Sequence, residues 1–191
     1  MKKDTYSSYR ALIRAECEGE DFRIHQSFDP KKRTIIIAPH GGRIETRTSD
    51  IARAIAGGDF NLYLFEGLKK KGNRSLHITS HKFDEPRCRV LVSKSERVIA
   101  VHGCKGLSHK VYLGGRDEIL KQRIASALRA NGLSVRTKNH QFMGSNRNNI
   151  CNRGATGAGV QLEITRALRM QGGVEGFVAA VRKALHDDNA V

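Results

Sequence analysis

No stretch of this sequence approaches the roughly 18 consecutive apolar residues that a membrane-spanning helix requires, so no membrane partner is expected. Its four cysteines, Cys17, Cys88, Cys104 and Cys151, are scattered without a CxxC pair. That spacing excludes a zinc ribbon and a disulfide framework, and the thiols read as reduced. Aromatic residues make up only 6% and no recognised nucleic-acid module is present, which weighs against recognition by base stacking. The opening MKKDTYSSYR has lysines but no apolar segment behind them, so no secretory signal is expected and the chain reads as cytoplasmic as synthesised. Internal repeats and low-complexity linkers are also missing.

What remains is an ordinary globular composition with one exception. Hydrophobic residues at 39% and charged residues at 28% of 191 fit one domain spanning 1–191, large enough for its own core. The exception is charge: Lys+Arg 34 against Asp+Glu 19 leaves +15. Such a chain attracts polyanions, whether nucleic acid, an anionic surface or an acidic polymer, although a basic surface also serves plain solubility. A nucleic-acid-binding protein, supported by the basic stretches at 31–33 and 69–74, therefore stands as an alternative function.

Residues 34–38 are a β-branched apolar run stopped by Pro39, read as a buried strand with a turn at Gly41 and Gly42. Ser49 and Asp50 are expected to cap a helix over IARAIA that Gly57 and Gly58 close. Further strands are expected at 22–26, 60–65, 76–83, 97–101, 133–137 and 160–164. Helices are expected around 9–17, from Pro86 onward, at 116–130 and at 174–185. The helix at 116–130 carries Ile119, Leu120, Ile124, Ala127 and Leu128 on one face. A polar, Gly- and Asn-rich stretch at 138–159 reads as loop. Strands alternating with helices predict a three-layer α/β/α architecture with a mixed, mostly parallel sheet, whose ligands bind beyond the carboxyl ends of strands.

Three segments carry the chemistry. His40 and Glu45 follow the first apolar run with two glycines between them, and His102 follows the run at 97–101. Together they make a two-histidine, one-carboxylate set for a divalent metal, best zinc, with room for a water. The competing reading has His40 ending a strand and Glu45 opening a helix, where acids favour the dipole. Cys104 would share a strand face with His102 and is a soft ligand, but reads better as a small buried hydrophobe. Glu163 lies in the apolar run VQLEIT, where a carboxylate needs a partner or a raised pKa; it suits a general base toward a metal-activated water. Its alternative is a solvent-facing acid paired with Arg166. Arg74, beside Asn73, and Arg153 offer guanidinium groups for a substrate carboxylate or a developing oxyanion. His77 and His81 lie four apart on the strand expected at 76–83, and His77 reads as a pocket group. GATGAG at 154–159 lacks the Lys-Ser/Thr ending of a phosphate loop.

The stretches APHGGRIE, LYLFEGL, LHITS followed by FDEP, VHG, LGG and NICNRGATGAGVQLEIT, in order from about 35 to 165, resemble the phage and prophage poly-γ-glutamate hydrolase family. The fold of that family is similar to that of zinc carboxypeptidases. The resemblance implies one zinc per chain on His40, Glu45 and His102, Glu163 as catalytic glutamate, and a polyanionic γ-glutamyl polymer as substrate, with which the positive charge agrees. It also points to Asn152 and Arg153 as substrate contacts. Separately, the chain is expected to be a monomer that leaves the cell on host lysis. Zinc peptidase activity on another peptide is the nearer alternative. Zinc carboxypeptidases use a shorter H-x-x-E motif, so their substrate residues do not transfer. Near 74 the family pattern places serine before arginine, whereas here Arg74 precedes Ser75.

Overall fold

The β-branched run at 34–38 forms a strand, but it does not stop at Pro39. In the computed structural model, which describes residues 4–187, strand β2 covers Thr34–Gly42. Its pairing register slips between Ala38 and Gly41, where proline has no N–H to offer the ladder. The other described strands are β1 (Phe22–Ser27), β3 (Asn61–Gly67), β4 (Arg97–Cys104), β5 (Lys110–Gly115), β6 (Ser134–Arg136) and β7 (Val160–Thr165). They join one sheet in the order β1-β3-β2-β4-β7-β5-β6. The pairs β2–β3, β2–β4, β4–β7 and β5–β6 are parallel, while β1–β3 and β5–β7 are antiparallel. The sheet is therefore mixed and mostly parallel.

The α-helices are α1 (Tyr9–Leu12), α2 (Thr48–Ala56), α3 (Pro86–Ser93), α4 (Glu118–Ala130), α5 (Arg166–Met170) and α6 (Val174–His186), with 3-10 turns at Asn73–Leu76 and Ile150–Arg153. Alternating residues of the central strands serve two cores. Ile36, Ile99, Val101 and Leu162 face α2, α4 and α6, while Ile35, Ile37, Val98 and Ala100 face α3 and the loops around it. Burial on both faces explains why these strands read as unbroken apolar runs. The expected α/β/α layering holds, with a thinner second layer. No described helix is long and apolar enough to cross a membrane.

Several local expectations need correction. Residues 76–83 form no strand: a 3-10 turn at Asn73–Leu76 leads into an extended strap. Leu76 and Ile78 plug the second core, and that burial produced the alternation. Ser49 does not cap α2. Its hydroxyl instead accepts from Gly42 N–H at 2.9 Å, and Arg47, at φ 71, occupies the cap position without a side-chain bond. The first helix is one turn, and Ile119 is exposed. Strand β5 lies outside the expected strands, although KVYLGG has the aromatic and β-branched content of a strand closed by glycines.

Candidate metal centre

His40 and His102 lie inside β2 and β4 rather than just beyond them, near the carboxyl ends of adjacent parallel strands. The chain leaves β2 for β3 on one side and returns as β4 on the other, the switch point where open α/β sheets bind ligands. Both imidazoles are buried, and their Nδ1 atoms stand 3.1 Å apart. Glu45 reaches them from the β2–α2 loop: Oε1 is 3.4 Å from His40 Nδ1, and Oε2 is 3.6 Å from His102 Nδ1. Zinc holds nitrogen and oxygen donors at roughly 2.0–2.1 Å, which separates neighbouring donors of a tetrahedral site by about 3.3 Å. The three side chains are thus spaced as ligands of one ion and fit zinc.

The surroundings fix this arrangement. His40 Nε2–H donates to Ile78 O at 2.8 Å, which turns Nδ1 toward the cluster. His102 Nε2 lies 3.4 Å from Ser80 Oγ, and Gly103 N–H donates to Glu45 Oε2 at 2.8 Å. The Glu45 backbone N–H bonds to His40 O at 2.9 Å, so the loop curls back on its own strand. Glycine permits this: a Cβ on Gly41 would lie 2.1 Å from Ser49 Oγ, and Gly42 has φ 61. Below Glu45, the buried Arg169 spans three carbonyls, those of Ile164, Thr46 and Cys104. Nothing in the sequence singles out Arg169 among 34 cationic residues.

Burial raises the Glu45 carboxyl, but the charge of His40 and hydrogen bonds from His102 and His40 outweigh it and hold the group well below the usual range. Burial, with the charge of His40, lowers the His102 imidazole against the pull of Glu45, which favours the neutral form a metal needs. Glu163 is the Cα partner of His102 across β4 and β7. Burial and the negative charge of Glu45 push it well above an ordinary glutamate, opposed by Arg169. Gln161 Nε2 donates to Glu163 Oε1 at 3.2 Å, and Asn149 Nδ2 in turn holds Gln161 Oε1 at 2.8 Å. The solvent-facing alternative with Arg166 does not apply, since Glu163 is buried.

His77 stacks on His40 with centroids 4.0 Å apart, and its Nε2 is 3.9 Å from Glu45 Oε1. His40, Glu45 and His77 can each bring one donor atom within 4.8 Å of the others. The contacts made by His102 are shorter, so His102 suits the third ligand and His77 the rim. His77 Nδ1 pairs with Asp4 at 2.8 Å, while burial and the charge of His40 lower its pKa to about 3. The pairing with Asp4, 73 residues away, left no local signal in the sequence. His81 is exposed, whereas His77 is half-buried. Burial pushes the Cys104 thiol up to about 12, consistent with a small buried hydrophobe.

The remaining candidates are not all at the cluster. Arg74 is exposed, and its charge contributes to lowering His77. Asn73 is buried, with Nδ2 bonded to Lys69 O. The side chain of Asn152 is spent inside the protein: Oδ1 accepts from Arg116 N and Gly159 N, and Nδ2 donates to Gly144 O and Asn146 O. Arg153 leads into a segment beside the start of β4, where Ala155 N–H bonds to Ser95 O, and its guanidinium points at Asn148. The structure brings His40, Glu45, His102, Glu163 and His77 together; it does not bring Arg153 or the Asn152 amide to them.

A family model described as poly-gamma-glutamate hydrolase matches residues 6–177. The UPF0714 protein YmaC of Bacillus subtilis (strain 168) is 38% identical over 168 residues, which is 87% of this chain and 71% of that protein. The solved structure of a bacteriophage poly-gamma-glutamate hydrolase superposes with a TM-score of 0.92 at 30% identity, covering 97% of this chain and 98% of the other. The zinc-free apo form of YndL gives 0.91 at 28% identity, covering 99% and 100%. In fold alone, a putative carboxypeptidase A from Shewanella denitrificans OS-217 matches at 0.53 with 16% identity over 86% and 59%.

Proposed function

Since the chain belongs to the poly-gamma-glutamate hydrolase family, we propose that it is a zinc-dependent hydrolase of γ-glutamyl amide bonds in poly-γ-glutamate. His40, Glu45 and His102 would hold one ion per chain, with Glu163 as general base. The observation that carries this reading is the convergence of two imidazole Nδ1 atoms and one carboxylate at ligand spacing beside a buried acid. Likeness to a phage hydrolase of this polymer, and to a protein whose apo form is designated zinc-free, supports the substrate and the metal.

Bound there, zinc would polarise the scissile carbonyl and acidify the attacking water. The chain's own residues supply the rest. Glu163 accepts the proton of that water and delivers it to the leaving amine. Gln161 occupies Oε1 and so orients Glu163, leaving Oε2 for the proton. Arg74, whose charge is felt at His77, is better placed than Arg153 to meet a substrate carboxylate or the oxyanion. The net charge of +15 draws in a polyanionic chain, an effect that weakens with salt.

Metal analysis with turnover of poly-γ-glutamate tests the assignment. Glu163→Gln should keep its zinc and lose on the order of a hundredfold in turnover, the scale of a positioned proton acceptor. His102→Ala should lose the zinc. Undiminished turnover in Glu163→Gln, or full zinc in His102→Ala, would refute the roles given to them.

A further inference from the structure

The site continues across the sheet. His102 of β4, Glu163 of β7, Tyr112 of β5 and Arg136 of β6 are successive Cα partners, so all four lie on one face in a single row. The neighbouring row on the same face, Ala100, Gln161 and Gly114, is roofed by the loop after β6. A Cβ on Gly114 would lie 2.3 Å from Phe142 O, Gly115 N–H donates to Met143 O, and Asn149 holds Gln161. The row beside that loop therefore runs from the buried His102 and Glu163 through the half-buried Tyr112 to the exposed Arg136, and so leads from the metal cluster out to solvent. Tyr112 is half-buried against His140 and Phe142, with centroids at 5.4 and 5.3 Å. No described residue hydrogen-bonds its hydroxyl, and none pairs with the exposed Arg136.

We propose that Tyr112 and Arg136 form the subsite that reads a free carboxylate of the substrate next to the scissile bond. The proposal rests on the γ-glutamyl reading above and deepens it. A γ-linked glutamate chain leaves one α-carboxylate free on every residue, whereas its amide nitrogen and carbonyl are consumed in the backbone. With strands about 4.8 Å apart, the Arg136 Cα stands two spacings, roughly 10 Å, from that of Glu163, and its long side chain can turn back over Tyr112. A carboxylate lying beyond the bond at Glu163 would meet the phenol hydroxyl first and the guanidinium fork next. Arginine suits this because its planar donors match a carboxylate in pairs. Other exposed basic residues attract the polymer; among the described ones, Arg136 is the basic residue that shares a sheet row with His102 and Glu163.

The test compares poly-γ-glutamate with the same chain amidated at its α-carboxylates, using the zinc-loaded full chain. Arg136→Ala should lower kcat/KM on the carboxylate form by about tenfold or more, as expected for one lost charge-assisted hydrogen bond, and should do little on the amidated form. Arg136→Lys should recover part of the loss, and Tyr112→Phe should show a smaller loss of the same preference. Arg129→Ala, which removes one charge from the opposite helical layer, should change neither substrate. Equilibrium binding of both polymers to metal-free protein gives a readout independent of hydrolysis. A wild-type chain that binds the carboxylate form through Arg136 but cleaves nothing would uphold the subsite and refute the proposed function. An Arg136→Ala protein with the wild-type preference in binding and cleavage, or one matched by Arg129→Ala, would overturn the subsite.

Discussion

Replacing Arg169 by lysine should both destabilise the protein and loosen the metal centre. The guanidinium is buried and bridges Ile164 O at 3.1 Å, Cys104 O at 3.3 Å and Thr46 O. It ties the ends of β7 and β4 to the loop that carries Glu45. An ammonium occupies one point and can keep about one of these contacts, leaving two carbonyls orphaned. Each buried orphan costs roughly 1–3 kcal/mol, less whatever entering water restores, so a total near 3 kcal/mol is expected. At a urea dependence of about 1–3 kcal/mol per molar, the unfolding midpoint should fall by roughly 1–3 M. Thr46 follows Glu45 directly, so the carboxylate loses its fixed approach, and zinc affinity should drop on the order of tenfold, the scale of outer-shell ligand partners. Chemical denaturation of metal-free protein separates the first effect from the second, and zinc competition against a chelator measures the second. An Arg169→Lys protein with the wild-type midpoint and affinity would refute this account of Arg169.

Gly41→Ala should lower the melting temperature by roughly 5–10 °C, because its Cβ would press on Ser49 Oγ and lie 2.9 Å from Phe65 O, a backbone atom that cannot swing away. Tyr63→Phe should cost about 1–2 kcal/mol in denaturant unfolding, since the buried hydroxyl donates to Glu85 Oε2 at 2.8 Å. Burial raises the Glu66 carboxyl, but hydrogen bonds from Arg23 and Ser49 and the charges of Arg23 and Arg53 outweigh it, leaving the group below its ordinary value. A depressed carboxylate stabilises the fold above its unfolded pKa, and that contribution disappears as pH falls through the folded value. The stability gap between wild type and Glu66→Gln should therefore be full at neutral pH and close below about pH 4 in pH-dependent unfolding; a gap that persists into acid would show that charge is not its source.

The sequence disclosed those parts of the protein that depend on local pattern. Apolar runs at 34–38, 97–101 and 160–164 became the central strands because both of their faces are buried, and His40, His102 and Glu163 stand out as the imidazoles and acid that follow or interrupt such runs. Pattern misled where burial without pairing imitated a strand, as at Leu76 and Ile78. It was silent where function depends on contacts between distant segments. The carbonyl of Ile78 that fixes His40, the carboxylate of Asp4 on His77 and the three carbonyls under Arg169 are joined only by folding. Asn152 shows the converse error, since a polar residue in a conspicuous stretch proved to staple its own loop.

The electrostatics of the cluster bear on why these residues stand so close. Glu45 and Glu163 are two acids in one buried site within a chain of net charge +15, and the charge of Glu45 raises the proton affinity of Glu163. Left to themselves, such groups favour a protonated Glu163, unable to act as a base. Burial meanwhile keeps His102 and His77 from offering positive charge in compensation at neutral pH. Arg169 supplies a permanent charge, but its guanidinium is committed to backbone carbonyls. A dication seated between His40, Glu45 and His102 would resolve the conflict: it would offset Glu45, would need the neutral His102 that burial already favours, and would lower Glu163 toward the ionised form. The features that would be unfavourable in a purely structural core are thus mutually consistent in a metal site. The same logic makes Glu163 sensitive to metal loading, so its protonation, followed by carboxyl-selective infrared difference spectra on zinc addition, should fall as the ion binds. A Glu163 band unchanged by zinc would separate the acid from the metal and remove the reason for placing the base there.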